Sequence, residues 1–374
     1  MKHLYLSLIL LSISVAGIAQ TSSFNTNGSK SNAIVTAVPF LTISPDARAG
    51  GLADAGAATS PDASSTYWNP SKLAFIDESR ELSLSYSPWM RRLYSDVNLA
   101  YLSYVNRLDD RNTIGASLRY FNLGKVDSYD DNINSLGTLR PNEFSFDVSI
   151  ARKFGKELSL GLTARYIHSS LTQGSVQSQA ANAVAADVSM YYTSNSFSFG
   201  ANISNIGTKM SYTPGGQQYF LPTNLKLGVA KNFVIDDMND FTLAFDVNKL
   251  LVPTPPLRDA SGNIISGTDD NKSVVSGIFS SFGDAPGGFS EEMQEISFSP
   301  ALEYWYQKQF AIRAGVFYEN ANKGGRQYIT FGAGFRSSDF KLDLSYLASN
   351  QSTNPLSGVV RFSVGYNFGS VKNK

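Results

Sequence analysis

From about residue 80 onward, apolar side chains recur at every second position. Phe144, Phe146, Val148 and Ile150 alternate with Ser145, Asp147, Ser149 and Ala151. Leu158, Leu160, Leu162, Ala164 and Tyr166 alternate with Ser159, Gly161, Thr163, Arg165 and Ile167. The same rhythm returns in 197–203 and 241–248. Successive side chains on a strand point to opposite faces, so each segment has one apolar face and one small or polar face. The alternation predicts fourteen strands, near 80–87, 96–106, 112–121, 142–152, 157–168, 183–192, 196–204, 223–231, 240–248, 296–306, 309–318, 326–336, 339–347 and 358–368. Most run about 9–11 residues, the length a tilted strand needs to cross a bilayer.

Alternation alone fits a soluble sandwich as well as a membrane barrel. Three features favour the barrel. The polar face is small and wet, built from Ser, Gly, Asn, Thr and Asp. Aromatics gather near strand ends, as in Tyr304-Trp305-Tyr306 and Tyr191-Tyr192, which suits interface girdles. Short links alternate with long ones: 122–141, 169–182, 205–222 and 249–295 are long, whereas 107–111, 153–156 and 337–338 are short. Lipid cannot hydrogen-bond an open strand edge, so the strands must close on themselves. The expected fold is all-β: a 14-stranded antiparallel transmembrane β-barrel over 80–368 with a short helical N-terminal plug. If strand one rises from the periplasm, an even strand count places both termini there, with 369–374 as a periplasmic tail.

Residues 1–79 break the rhythm. Met1-Lys2-His3, the apolar run Leu4–Val15 and the small residues Ala16-Gly17-Ile18-Ala19 form the three parts of a secretory signal peptide over 1–19. The segment 20–79 opens with a polar Ser- and Asn-rich stretch and then turns to small residues. Helix-start signals stand at Ser44-Pro45-Asp46 and Ser60-Pro61-Asp62. Short helices of small residues can fold back into the lumen as a plug; a periplasmic cap is the alternative. A fourteen-stranded lumen is wide enough that protein or water must fill it.

Charge is balanced, with 31 Lys+Arg against 31 Asp+Glu, which argues against a nucleic-acid partner. The chain has no cysteine, which removes disulfides and thiolate metal sites. Its two histidines, His3 and His168, leave no material for a histidine-rich metal centre. His168 stands beside Ser169 and Ser170, but no Gly-x-Ser-x-Gly elbow accompanies them. Asp130-Asp131 and Asp269-Asp270 read as solvated turn residues. No cofactor is implied, and no enzyme is expected.

The long connections hold more. Trp89, Met90, Arg91 and Arg92 give the first long loop the composition of an interface hot spot, unless they form a girdle facing outer-membrane lipid. The 249–295 loop carries Ile278, Phe279, Phe282 and Phe289 amid Gly and Ser. Loops of that length are usually functional. Exposed, its apolar residues would need a partner; folded inward, they would form a lid.

The run 33–56, followed by Trp68-Asn69-Pro70-Ser71-Lys72-Leu73-Ala74, resembles the FadL superfamily of long-chain fatty acid channels. Within that superfamily it resembles the PorV (LptO) family of the Bacteroidetes type IX secretion system. The superfamily commonly reads Asn-Pro-Ala where Asn69-Pro70-Ser71 stands. The resemblance implies that Trp68, Asn69 and Pro70 belong to the plug. It also implies partners: the SprA (Sov) translocon, the PorU sortase and attachment complex, and the C-terminal sorting domains of secreted cargo. A FadL-like channel for hydrophobic small molecules is the competing expectation and requires an apolar pocket in the lumen.

Overall fold

The computed structural model describes residues 32–91, 93–129, 134–171, 180–349 and 356–369. The expected signal peptide, Arg92, Asp130-Asp131 and the tail beyond Gly369 lie outside the described residues. In chain order the strands are β1 (Arg80–Pro88), β2 (Asn98–Arg107), β3 (Asn112–Asn122), β4 (Val126–Tyr129), β5 (Ser135–Leu139), β6 (Asn142–Phe154), β7 (Leu158–Ser169), β8 (Ala181–Ser194), β9 (Phe197–Gly207), β10 (Asn224–Val234), β11 (Asn239–Leu250), β12 (Leu257–Arg258), β13 (Ile264–Ser266), β14 (Ile296–Tyr306), β15 (Phe310–Tyr318), β16 (Gln327–Arg336), β17 (Phe340–Ala348) and β18 (Val360–Asn367). Fourteen form a closed antiparallel barrel, in which β1 pairs with β18 as well as β2. Leu84 thus faces Val364 on one side and Leu102 on the other. The pairs β4–β5 and β12–β13 are hairpins inside long connections, where no alternation marks them.

The wall is inverted relative to a soluble protein. Leu84, Leu102, Phe146, Val148, Leu162 and Phe331 point outward and are exposed, whereas Ser85, Ser103, Ser149 and Thr330 point inward and are buried. An apolar exterior that closes every backbone edge suits hydrocarbon surroundings. The short turns follow local chemistry. Asp109 Oδ1 accepts from the N–H groups of Arg111 (2.7 Å) and Asn112 (2.8 Å), and Asp236 does the same for Met238 and Asn239.

Residues 32–79 thread the lumen. They contain 3-10 turns at Pro39–Thr42 and Pro70–Phe75 and two single-turn helices, α1 (Ala47–Gly50) and α2 (Ser65–Trp68). Asp46 caps α1, accepting from the Ala49 N–H at 3.0 Å, as the Ser44-Pro45-Asp46 signal predicts. The second signal is displaced: α2 begins at Ser65, because the Asp62 carboxylate is taken by Arg48 at 2.8 Å.

The described residues begin and finish at opposite ends of the barrel, while the chain ends expected to share the periplasmic side lie outside them. Asn32 bonds to Pro255 O (3.1 Å) and Glu291 (3.0 Å), both in the 249–295 connection, so the described chain starts at the long-loop end. It finishes at the short-turn end, where Gly369 O accepts from the Ser79 N–H at 3.1 Å. Strand parity counts only the wall; the plug crosses the lumen between Asn32 and Ser79.

Candidate functional site

The plug is fixed to the wall around the whole ring. On β11, Asp246 Oδ2 accepts from the backbone N–H groups of Gly56 (2.8 Å) and Ala57 (2.9 Å). On β16, Thr330 Oγ1 accepts from Ala53 N–H and donates to Gly51 O. The Ser363 hydroxyl of β18 accepts from Ala47 N–H, and the Ser159 hydroxyl of β7 donates to Ser71 O. Each bond pairs a plug backbone group that water cannot easily reach, which removes the cost of burying it unpaired.

The sequence-predicted plug residues lie at the centre of this arrangement. Trp68 is buried, and its indole N–H donates to Asp46 at 2.6 Å, joining α2 to the α1 cap. Asn69 Nδ2 donates to Ala57 O (2.9 Å) and to Met190 O of β8 (3.0 Å), while its Oδ1 accepts from the Ser71 N–H. It therefore caps the following 3-10 turn and holds that turn to the wall. Pro70 occupies the first position of the turn, where its missing N–H costs nothing.

Inward charges, which the small-and-wet reading of the inner face leaves out, organise the middle of the lumen. Arg48 of the plug meets Glu303 of β14 through Nε (3.0 Å) and Nη2 (2.8 Å). Arg313 of β15 shares Glu303 at 2.6 Å and reaches Asp343 of β17 at 2.6 Å. Across the lumen Arg165 joins Asp147 (2.6 Å) and Asp187 (3.0 Å). A β-bulge between β8 and β9 turns Asn205, at φ 62°, toward the same guanidinium. These residues hold the register of the serines and glycines around them, so strand parity alone could have found them.

Wall glycines admit the plug backbone. A Cβ on Gly200 would stand 2.0 Å from Ala57 O, and one on Gly161 would stand 2.6 Å from Ser71 N. Toward the long-loop end the filling becomes apolar: Val38, Phe40 and Leu41 pack with Leu99, Phe121 and Ile167.

Trp89 belongs to this apolar layer, which corrects its expected role on an exposed surface. The inward parity of Ser83, Ser85 and Ser87 continues into Trp89, which is buried. Met90 is half-buried against the same cluster. Arg91, Leu93 and Tyr94 of that loop are exposed. His168 pairs through Nδ1 with the Asn182 amide oxygen (2.8 Å) and stacks on Phe144.

The 249–295 connection is an anchored lid carrying α3 (Val274–Ser280) and α4 (Phe289–Gln294). Lys249 of β11 grips Glu292 (3.0 Å) and Glu295 (2.5 Å), while Lys323 grips Glu291 (2.5 Å) and Glu295 (3.0 Å). Burial would raise the Glu291 carboxyl, but Lys323, the Gly287 N–H and Asn32 outweigh it and hold the group below its ordinary range. Burial raises Asp284, against the opposing Thr254 N–H and Ser280 hydroxyl. The other side of the lid is apolar and uncovered. Phe279 is 75% exposed and Phe289 80%, with Val275 and Phe282 also exposed and Ile278 half-buried.

Closed wall, lipid-suited exterior and pinned plug define an outer-membrane β-barrel with a filled lumen. The CymD monoaromatic hydrocarbon channel shares this fold with a TM-score of 0.51 at 14% identity, covering 87% of this chain and 98% of that one. The P. putida toluene transporter TodX gives 0.51 at 12% identity, with 87% and 98% covered. No curated protein matches the sequence. The family model of the type IX secretion system protein PorV matches residues 26–257, more than half of the chain, and the chain belongs to that family.

Proposed function

We propose that this barrel is the component of the type IX secretion system that binds cargo through its C-terminal sorting domain. It carries cargo from the SprA (Sov) translocon to the PorU attachment complex. The long loops face the cell exterior and Gly369 the periplasm. The observation that carries this reading is the division between a fixed interior and an uncovered apolar lid. A plug bonded to strands around the ring does not make room for a polypeptide, so recognition belongs to the loop surface. Phe279, Phe282 and Ile278 are its centre, and the exposed Arg91 of the first loop is a second contact of the loop surface. Aromatic anchors beside arginine are the composition of interface hot spots.

The competing channel for hydrophobic small molecules has fold likeness in its favour. It needs an open apolar pocket, and Phe40 and Leu41 already fill the apolar layer of this lumen. Deleting the protein and profiling the culture supernatant separates the two. Cargo retained by the cells supports secretion; normal secretion with impaired hydrophobic uptake supports the channel. Trimming 274–289 should abolish recovery of partners in a pulldown, and undiminished recovery removes the lid from the interface.

A further inference from the structure

A cavity of about 290 Å³ lies between the plug, the inner faces of β9, β10, β11 and β14, and the lid. Its rim includes the exposed residues Pro39 and Gly324. That volume is at the lower end of small-molecule sites.

The cations that line it are already compensated within the protein, whereas Asp54 accepts from the Tyr328 hydroxyl at Oδ2 (2.9 Å) and leaves Oδ1 without a partner. Arg326 is held by Glu319 through Nε (2.9 Å) and Nη2 (2.7 Å). Lys323 is held by Glu291 and Glu295. Lys226 donates to Asp54 O at 3.0 Å and stands 3.9 Å from Asp246. An anionic ligand would have to break one of these pairs, and a ligand hydroxyl can donate to the free Asp54 Oδ1.

The aromatic rings at the cavity are also occupied. Tyr328 stacks on Phe317 at 4.9 Å, Arg119 covers Tyr67 at 4.3 Å, and Lys226 covers Trp68 at 4.4 Å. Little ring face remains for a flat hydrocarbon.

Neutral hydrogen-bonding groups remain. Asn202 is 3% exposed, and its Oδ1 has no partner. Asn224 and Asn248 touch each other only at 3.5 Å, at the limit of a hydrogen bond. The Ser204 and Ser297 hydroxyls line the same wall. An amide offers donor and acceptor side by side, and a hydroxyl offers both on one atom. Leu41 and Leu250 supply short aliphatic flanks.

We propose that this cavity binds a small neutral saccharide of one or two rings. Sugar hydroxyls donate and accept in the paired manner that the asparagines and serines offer, and sugar C–H faces suit the leucine flanks. The site is independent of the secretion reading, since it concerns the lumen and not the lid surface.

The test is saturation-transfer NMR on the detergent-purified full chain with glucose, N-acetylglucosamine and maltose. Saturable binding of at least one sugar is expected at millimolar concentration or below. Asn248→Leu combined with Ser297→Ala should weaken it at least tenfold, and Phe279→Ser should leave it unchanged. Ser204→Phe, which fills the cavity without removing a bonded group, gives a second route to the same loss if the double variant does not fold. No saturable binding of any of the three sugars overturns the proposal. Binding that survives both cavity variants, or toluene bound in preference to sugar, also overturns it.

Discussion

Arg48 and Glu303 meet as a two-point ion pair, at 2.8 and 3.0 Å, between the plug and a wall strand. Removing one partner of such a buried pair typically costs about 3–5 kcal/mol, because the other charge is left behind. Glu303 keeps Arg313, so Arg48→Ala is expected near the lower end. The barrel should still form, with the plug segment open to proteolysis. Limited digestion of the folded, detergent-solubilised variant checks this; a plug as resistant as in the parent chain contradicts it. Arg48→Lys should recover only part of the protection, since an ammonium lacks the planar fork.

Close approach at the wall glycines gives a second expectation. Gly200→Ala forces a methyl to within 2.0 Å of Ala57 O, and overpacking of this kind costs about 1–3 kcal/mol. Gly283→Ala meets nothing within 4 Å and serves as the control. Thermal unfolding, followed by gel mobility with and without heating, should separate the two.

Much of this architecture is legible in the chain, for a physical reason. A wall one residue thick has lipid on one side and polar filling on the other, so its strands alternate, and β9 departs from this only at the bulge that turns Asn205 inward. The plug gives no such signal. Its helices are single turns, and contacts with the surrounding wall decide their ends, so Asp62 becomes an ion-pair partner where the local pattern suggests a helix start. Composition alone marks Trp89 as a surface anchor, whereas its inward parity with Ser87 buries it. The Arg165–Asp187 and Arg48–Glu303 pairs join residues far apart in sequence, which no local spacing reveals.

Orientation can be read with single cysteines, because the chain has none of its own. Val35→Cys, at the long-loop end and 65% exposed, should react with an impermeant maleimide on intact cells. Leu108→Cys, exposed on a short turn, should react only after the outer membrane is permeabilised. The opposite pattern would invert the barrel, and labelling of both from outside would break the topology described.

Acid should loosen the lid before it affects the wall. The Glu291 pKa is lowered in the folded state, so its contribution is full above the unfolded value of about 4.3 and is lost as pH falls through the lower folded value. Hydrogen exchange across 289–295 should therefore rise below about pH 4, while exchange in β14 stays slow. Lys323→Met should bring the loosening to higher pH. Equal exchange in lid and wall at every pH would contradict the clamp.

Phe279→Ser with Phe289→Ser removes the two most uncovered rings of the lid. Stability should change by less than about 0.5 kcal/mol, as for other surface positions, while co-purification of secretion partners should fall severalfold. Unchanged recovery would leave those rings without the role assigned to them.

The seam between β1 and β18 sets the order in which this molecule can be made. The plug leaves the ribosome first, yet the cylinder that houses it is incomplete until the last eight strand residues arrive. Its partners Asp246, Glu303, Thr330 and Ser363 are all synthesised later, so the earliest part of the chain must wait for the latest. A chain cut short before Val360 would leave the cylinder unsealed and the plug without Ser363 as a partner.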